Sequence, residues 1–114
     1  MTNGDIFRWD SIWGKIANYF EIEKGEIQTI PLATLMPLQK ELWATMIKKY
    51  HLKMLPFEKL ASWPFGDFIL GCDYDVISDT TKIKQFGFTE VLDTEKNILA
   101  IFDDLKKDKL IPDF

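Results

Sequence analysis

The stretch from Ala61 to Phe88, ASWPFGDFILGCDYDVISDTTKIKQFGF, sets the tightest limit on how this chain folds. It places Trp63, Phe65, Phe68, Ile69 and Leu70 within eight positions. Gly66 and Asp67 sit among them, which argues against a central strand. The run is too short for periodicity to separate helix from strand. Gly71 just beyond it favours a short helix that ends there. An acidic pair follows, Asp73 and Asp75, then a brief extended segment over 74–77. A second short helix is expected over 79–85, capped by Ser78 or Asp79, with Gly87 just past its end.

Longer apolar stripes flank this stretch. Trp9, Ile12, Trp13, Ile16, Ala17 and Phe20 recur at three-and-four spacing, which predicts a helix over 9–20 capped by Asp10 or Ser11. Gly14 inside it costs about 1 kcal/mol relative to Ala and marks a place where another backbone approaches. Glu26 to Ile30 alternates and reads as a short strand, interrupted by Pro31. Leu32 to Met36 makes one helical turn, and Pro37 opens a second helix. Its stripe of Leu38, Leu42, Trp43, Met46, Ile47 and Tyr50 carries it to residue 50. His51 follows, placed for the helix dipole or for packing. A short helix over 57–61 closes near Trp63, because the residue before a proline avoids the helical region. The last helix opens at Asp93 or Thr94, buries Ile98, Ile101, Phe102 and Leu105, and is stopped by Pro112. Met1 to Asp5 is a turn, and Phe88 to Leu92 a connector. The expectation is an α+β but predominantly α-helical single domain over 1–114. It has about four to six helices, one or two short strands and no Rossmann domain.

Composition narrows the function classes. The net charge is −4, and no basic stripe accompanies the aromatic residues, which excludes nucleic-acid binding. Lys106, Lys107 and Lys109 alternate with Asp103, Asp104 and Asp108 and read as a solvated helix end. Four Trp, three Tyr and nine Phe are many for 114 residues. They imply an aromatic-rich core or an aromatic surface offered to something else. The single cysteine, Cys72, allows no internal disulfide and fits a reducing compartment. The start, MTNGDIFRWD, has no apolar signal region, and no apolar run reaches membrane-spanning length. The expected location is cytoplasmic.

Familiar catalytic constellations are missing. Cys72 and His51 are the only thiol and imidazole, and they are far apart in sequence with no local signature joining them. Cys72 reads as a small residue packed beside Gly71. Asp67, Asp73, Asp75 and Asp79 do not match a calcium-loop spacing, and capping or turn roles explain them. A dinucleotide fold needs clustered glycines at a strand-to-helix turn. Gly4, Gly14, Gly25, Gly66, Gly71 and Gly87 do not cluster. A reductase-type Tyr with Lys four residues on is also absent: Tyr19, Tyr50 and Tyr74 are followed at that spacing by Glu23, Met54 and Ser78.

Three segments in order are more distinctive. They are Asn3-Gly4-Asp5-Ile6-Phe7-Arg8-Trp9 with Trp13 downstream, then Trp63-Pro64-Phe65-Gly66-Asp67-Phe68-Ile69-Leu70-Gly71, then Ser78-Asp79-Thr80-Thr81-Lys82 with Gly87-Phe88. This order resembles the C-terminal part of extended short-chain dehydrogenases/reductases of the NAD-dependent epimerase/dehydratase kind. The nearest group contains progesterone 5β-reductase and iridoid synthase. The resemblance runs from Asn3 to about Pro112, and its first two segments are the more specific. It implies a substrate-binding lobe that packs against a Rossmann half over the active-site cleft. Trp63 and Phe65, with Phe68 and Ile69, would be apolar walls of the substrate pocket. Family members reduce an enone double bond with NADPH; in this chain the resemblance implies no cofactor site and no catalytic Tyr and Lys. The family's core strand would end where Met1 stands.

Two functions follow from this reading. One is an isolated substrate-binding lobe of an NAD(P)-dependent reductase-like protein, inactive by itself and partnered by a Rossmann domain. The other is a stand-alone interaction module that uses its aromatic face for self-association, as a homodimer, or for a protein partner. Neither involves a membrane.

Overall fold

The computed structural model describes residues 2–114, so Met1 and any role expected of it lie outside the described residues. Six α-helical segments make up the fold: α1 (Trp9–Tyr19), α2 (Leu32–Leu35), α3 (Lys40–Tyr50), α4 (Trp63–Leu70), α5 (Thr81–Gln85) and α6 (Thr94–Lys107). Single 3-10 turns stand at Met36–Gln39 and Phe57–Lys59. The protein is predominantly helical, as its stripes predict. The expected short strands are not there among the described residues. Residues 26–30 are irregular and exposed, with Ile27 at 92 %. Alternation makes a strand only when a neighbouring strand supplies the ladder, and none does here. Tyr74, Val76 and Ile77 are likewise open to solvent and irregular.

The fold divides into two compact units, each built from two stretches of sequence. The first is Met1–Gly25 with Asp75–Asp103, and the second is Glu26–Tyr74 with Asp104–Phe114.

In the first unit the turn at Asn3-Gly4-Asp5 is tied to the start of α6. Gly4 has φ +85°, a conformation that strains any residue with a Cβ, and a Cβ there would meet Val91 Cγ2 at 3.3 Å. The first N–H groups of a helix have no intrahelical acceptor. The Asp5 carboxylate supplies one, accepting from the Thr94 backbone N–H and from the Thr94 hydroxyl, both at 2.6 Å. Asn3 Nδ2 donates to the same hydroxyl oxygen at 3.0 Å, and the Leu92 N–H donates to the Asn3 carbonyl at 2.8 Å. Asp93 adds the expected local cap, accepting from the Lys96 N–H.

α1 packs Ile12 and Ala17 inward, and the rings of Tyr19, Phe20 and Phe102 cluster at 5.0 to 5.6 Å between centroids. Asp10 and Ser11 do not cap α1. Its N-cap is Arg8 in extended conformation, and Asp10 pairs with Lys24 instead. A carboxylate already inside the first turn, past the N-cap position, reaches a lysine more readily than the free N–H groups of its own helix start. Nothing approaches the Gly14 position within 4 Å, so the close contact expected there is absent among the described residues.

In the second unit the path from α2 to α3 stays helical through Pro37. Proline has no N–H to give the residue four back, so the tighter 3-10 turn takes over at Met36–Gln39 and the α-helix resumes only at Lys40. The start expected at Pro37 is displaced for that reason. Trp43, Met46, Ile47 and Tyr50 are half-buried as their spacing predicts, but Leu38 and Leu42 remain exposed. Leu52 and Phe57 are buried, the Trp43 indole donates to the Leu55 carbonyl at 3.1 Å, and the Tyr50 and Phe114 rings meet edge to face.

Four helices end the same way. The residue past the end takes a positive φ, and the next N–H bonds back five residues: Ile22 to Ala17, Leu52 to Ile47, Phe88 to Ile83 and Leu110 to Leu105. Gly87 fills the left-handed position after α5, as expected, but Glu21, His51 and Lys109 fill the other three. His51 is exposed and ends α3 by its conformation rather than by packing. Among the described residues, no helix is long and apolar enough to cross a membrane.

Two measurements check this account. His51→Gly, which relieves a left-handed non-glycine residue, raises the unfolding free energy by about 1 kcal/mol in urea titration. The Thr94 hydrogen bonds hold the Asp5 carboxyl below its ordinary pKa of 3.8. The unfolded protein therefore takes up that proton first. The cap contributes fully above 3.8 and is lost as pH falls through the lower folded value. Asp5→Asn accordingly flattens the fall in thermal midpoint between about pH 5 and about pH 2.

Candidate functional site

α4 carries all four residues singled out as pocket walls, and its geometry divides them. Residues 65, 68 and 69 share one face, while 63, 66, 67 and 70 share another. The second face meets α2. Gly66 allows this, since a Cβ there would stand 3.0 Å from Leu32 Cδ1. Asp67 fixes it, because its carboxylate accepts the backbone N–H groups of Leu32 at 2.7 Å and Ala33 at 2.9 Å. α2 begins after Pro31, whose side chain has no oxygen with which to cap. The cap comes from a residue 35 positions away. The sequence reading assigned Asp67 a generic capping or turn role and missed this partner. The available signal was an acidic residue within an apolar helix, together with a second helix lacking a capping residue of its own.

Trp63 begins α4 and lies half-buried beside an open cleft of about 530 Å³. Pro37, Phe57, Glu58, Ser62 and Pro64 line it with Trp63. That volume falls within the range of small-molecule sites. The Phe57 and Trp63 rings pair at 5.6 Å between centroids. The Trp63 indole N–H is buried and has no hydrogen-bond partner in the structure. Such a donor costs free energy unless something accepts from it. Lys40 donates to Glu58 near the rim and holds that carboxyl below its ordinary range. Phe57 was not singled out from sequence; nothing in its local spacing distinguishes it from an ordinary core residue.

Phe65, Phe68 and Ile69 face away from α2. Phe65 is 61 % exposed and Phe68 70 %, with ring centroids 6.4 Å apart, and Ile69 is partly exposed beside them. The structure thus brings Phe65, Phe68 and Ile69 together and puts Trp63 on the other side of the same helix. The outer face has no polar group of its own. It can shape and desolvate an apolar ligand but cannot transfer a proton.

The remaining candidates are dispersed. Cys72 is exposed rather than packed beside Gly71, and its thiol donates to the Tyr74 carbonyl at 3.5 Å. Asp79 accepts from the Thr81 N–H at the start of α5, and Asp75 pairs with Arg8. Lys106 is more enclosed than a solvated helix end implies, with its side chain 19 % exposed and paired to Asp113. Among the described residues, no group of three or more His, Cys, Asp and Glu side chains is placed to hold a metal ion.

No family model matches the sequence. Individual relatives do. The chain is 32% identical over 116 residues to (S)-8-oxocitronellyl enol synthase of Catharanthus roseus, with 97% of this chain and 29% of that protein covered. It is 29% identical over 114 residues to 3-oxo-Delta(4,5)-steroid 5-beta-reductase of Arabidopsis thaliana, again 97% and 29%. It is 30% identical to the uncharacterized protein C757.02c of Schizosaccharomyces pombe, covering 98% of this chain and 37% of that protein. The chain therefore spans about a third of the length of the curated relatives it matches.

Asp67→Ala removes the acceptor for two backbone N–H groups and lowers stability by about 1 to 2 kcal/mol, read by urea denaturation. Asp67→Asn keeps an acceptor for only one of the two N–H groups and sets its own NH2 against the other, so it recovers only part of that loss.

Proposed function

We propose that this homologue of a piece of the iridoid synthase and progesterone 5β-reductase group is the substrate-side lobe of a reductase-like protein. The outer face of α4 carries the reading. Phe65, Phe68 and Ile69 form an apolar surface on a helix whose opposite side is anchored by Asp67. Large aromatic side chains left open on an anchored element mark a surface meant for a ligand or a partner. Trp63 lines a separate cleft on the other side of the helix and stands apart from this wall. The substrate is an apolar molecule with a conjugated carbonyl, the class that the name of the steroid 5-beta-reductase describes. The nicotinamide cofactor, the hydride and the proton donor come from a Rossmann domain outside these 114 residues. By itself the chain is a cytoplasmic, inactive half-site.

The reading is tested in two steps. NADPH titrated into the purified protein gives no saturable fluorescence change; saturable micromolar binding overturns the division of labour. Replacing the corresponding piece of the Catharanthus enzyme with this sequence then gives a chimera for kinetics. In it Phe65→Ala and Phe68→Ala raise KM for the enone by about tenfold, the loss of about 1.4 kcal/mol of apolar contact. Because both residues are exposed, the same substitutions change the isolated protein's stability by no more than about 0.5 kcal/mol. A stability loss without a change in KM would make them core residues instead.

A second reading is favoured by the first unit. Phe7, Trp9 and Trp13 meet in sequence, the first pair edge to face and the second tilted, with centroids 5.3 and 6.0 Å apart, and each is more than a third exposed. Such a patch suits self-association as a homodimer when no partner covers it. Light scattering then reports a mass that doubles with concentration, and Trp13→Lys returns it to the monomer.

A further inference from the structure

We infer that Asn3-Gly4 is a latent modification site, a deamidation point held shut by Thr94. The inference stands apart from the proposed function, because it rests on the turn in the first unit alone. An asparagine followed by glycine is the sequence most open to succinimide formation, since no Cβ shields the following nitrogen. The Gly4 backbone nitrogen attacks Asn3 Cγ and loses its proton, and the side-chain amide leaves as ammonia. A five-membered imide closes between the two residues. Water then opens it. Breaking the bond between the Gly4 nitrogen and Asn3 Cγ gives aspartate. Breaking the bond between that nitrogen and the Asn3 backbone carbonyl gives isoaspartate, with one carbon added to the backbone path. The net reaction consumes one water and releases one ammonia, with no other reactant.

The structure opposes the first step in three ways. Asn3 Nδ2 is held on the Thr94 hydroxyl oxygen at 3.0 Å, so Cγ cannot swing over the Gly4 nitrogen while that bond lasts. The Asn3 carbonyl is fixed by the Leu92 N–H, so the peptide plane between the two residues is not free to turn. The Asp5 carboxylate then clamps the far side of the turn through two bonds to Thr94. Thr94 is 8 % exposed, so water does not compete freely for its hydroxyl. One residue thus serves the α6 cap and the protection of Asn3 together. Opening the cap exposes the amide to reaction. Once isoaspartate forms, the longer backbone moves Asp5 out of register with the helix start. The closed turn does not re-form, so the change is one-way.

The test incubates the purified protein at mildly alkaline pH and follows Asn3 by peptide mass, ammonia release and isoaspartyl methylation. The folded protein deamidates at Asn3 at least about tenfold more slowly than the same protein in urea, because reaction has to await local opening. Thr94→Ala, confirmed folded by circular dichroism, loses most of that protection, whereas Thr94→Ser keeps it. Asp5→Asn, which weakens the cap without touching the Asn3 amide bond, gives an intermediate rate. Equal rates in folded and unfolded wild type overturn the inference. So does a folded Thr94→Ala variant that reacts as slowly as wild type. If Thr94→Ala does not fold, the Thr94→Ser and Asp5→Asn rates decide: a Thr94→Ser rate matching the unfolded protein refutes the role of the hydroxyl.

Discussion

Unsatisfied N–H groups at helix starts are the constraint around which this protein is arranged. A short helix gains little from its own hydrogen bonds, and its first turn leaves donors with nothing to bond. Two of those helix starts are satisfied from far away. Asp5 reaches the start of α6, and Asp67 reaches the start of α2. Each bond is charge-assisted and short, and each joins stretches distant in sequence. The two units take much of their definition from these carboxylates, since few hydrophobic side chains among the described residues are buried: Ile12, Ala17, Leu52 and Phe57.

That arrangement separates the anchoring side of α4 from its exposed side. Gly66 and Asp67 serve the contact with α2, and Phe65, Phe68 and Ile69 are left free of it. The same eight residues therefore hold a helix in place and present a surface. The motif Trp-Pro-Phe-Gly-Asp reads naturally in these terms. Its polar and small members are architectural, and Phe65 is left exposed on the opposite face. Asn-Gly-Asp has a parallel division, with glycine making the turn, aspartate capping α6 and asparagine bonding the capped residue.

Much of the helix plan is legible in the sequence. The stripes of α1, α3 and α6 follow three-and-four spacing, and their extents differ from expectation by only a few residues. The departures have separate causes. The alternation at 26–30 has no partner strand, Pro37 falls inside a 3-10 turn, and Asp10 turns to Lys24 rather than to its helix. His51 stops a helix from the left-handed region, where its place in the sequence predicts a dipole or packing role. The strand lacks a partner to pair with, Pro37 displaces a helix start through its own missing N–H, and Asp10 answers to a lysine that its local pattern does not name. The candidate site behaves likewise. The aromatic density of 63–70 is plain in the sequence, but the separation of Trp63 from Phe65 and Phe68 depends on which side of α4 meets α2.

The sequence by itself determined a predominantly helical protein, its apolar stripes, and a likeness to part of a reductase. These depend on spacing and residue type, which a linear sequence displays directly. The tertiary structure alone decided which aspartate caps which helix, which leucines stay exposed on α3, and which aromatic residues of α4 remain open. Those outcomes depend on partners distant in sequence. A hydrogen bond or a packing contact is a property of two groups brought together, and the spacing around either one does not specify the other.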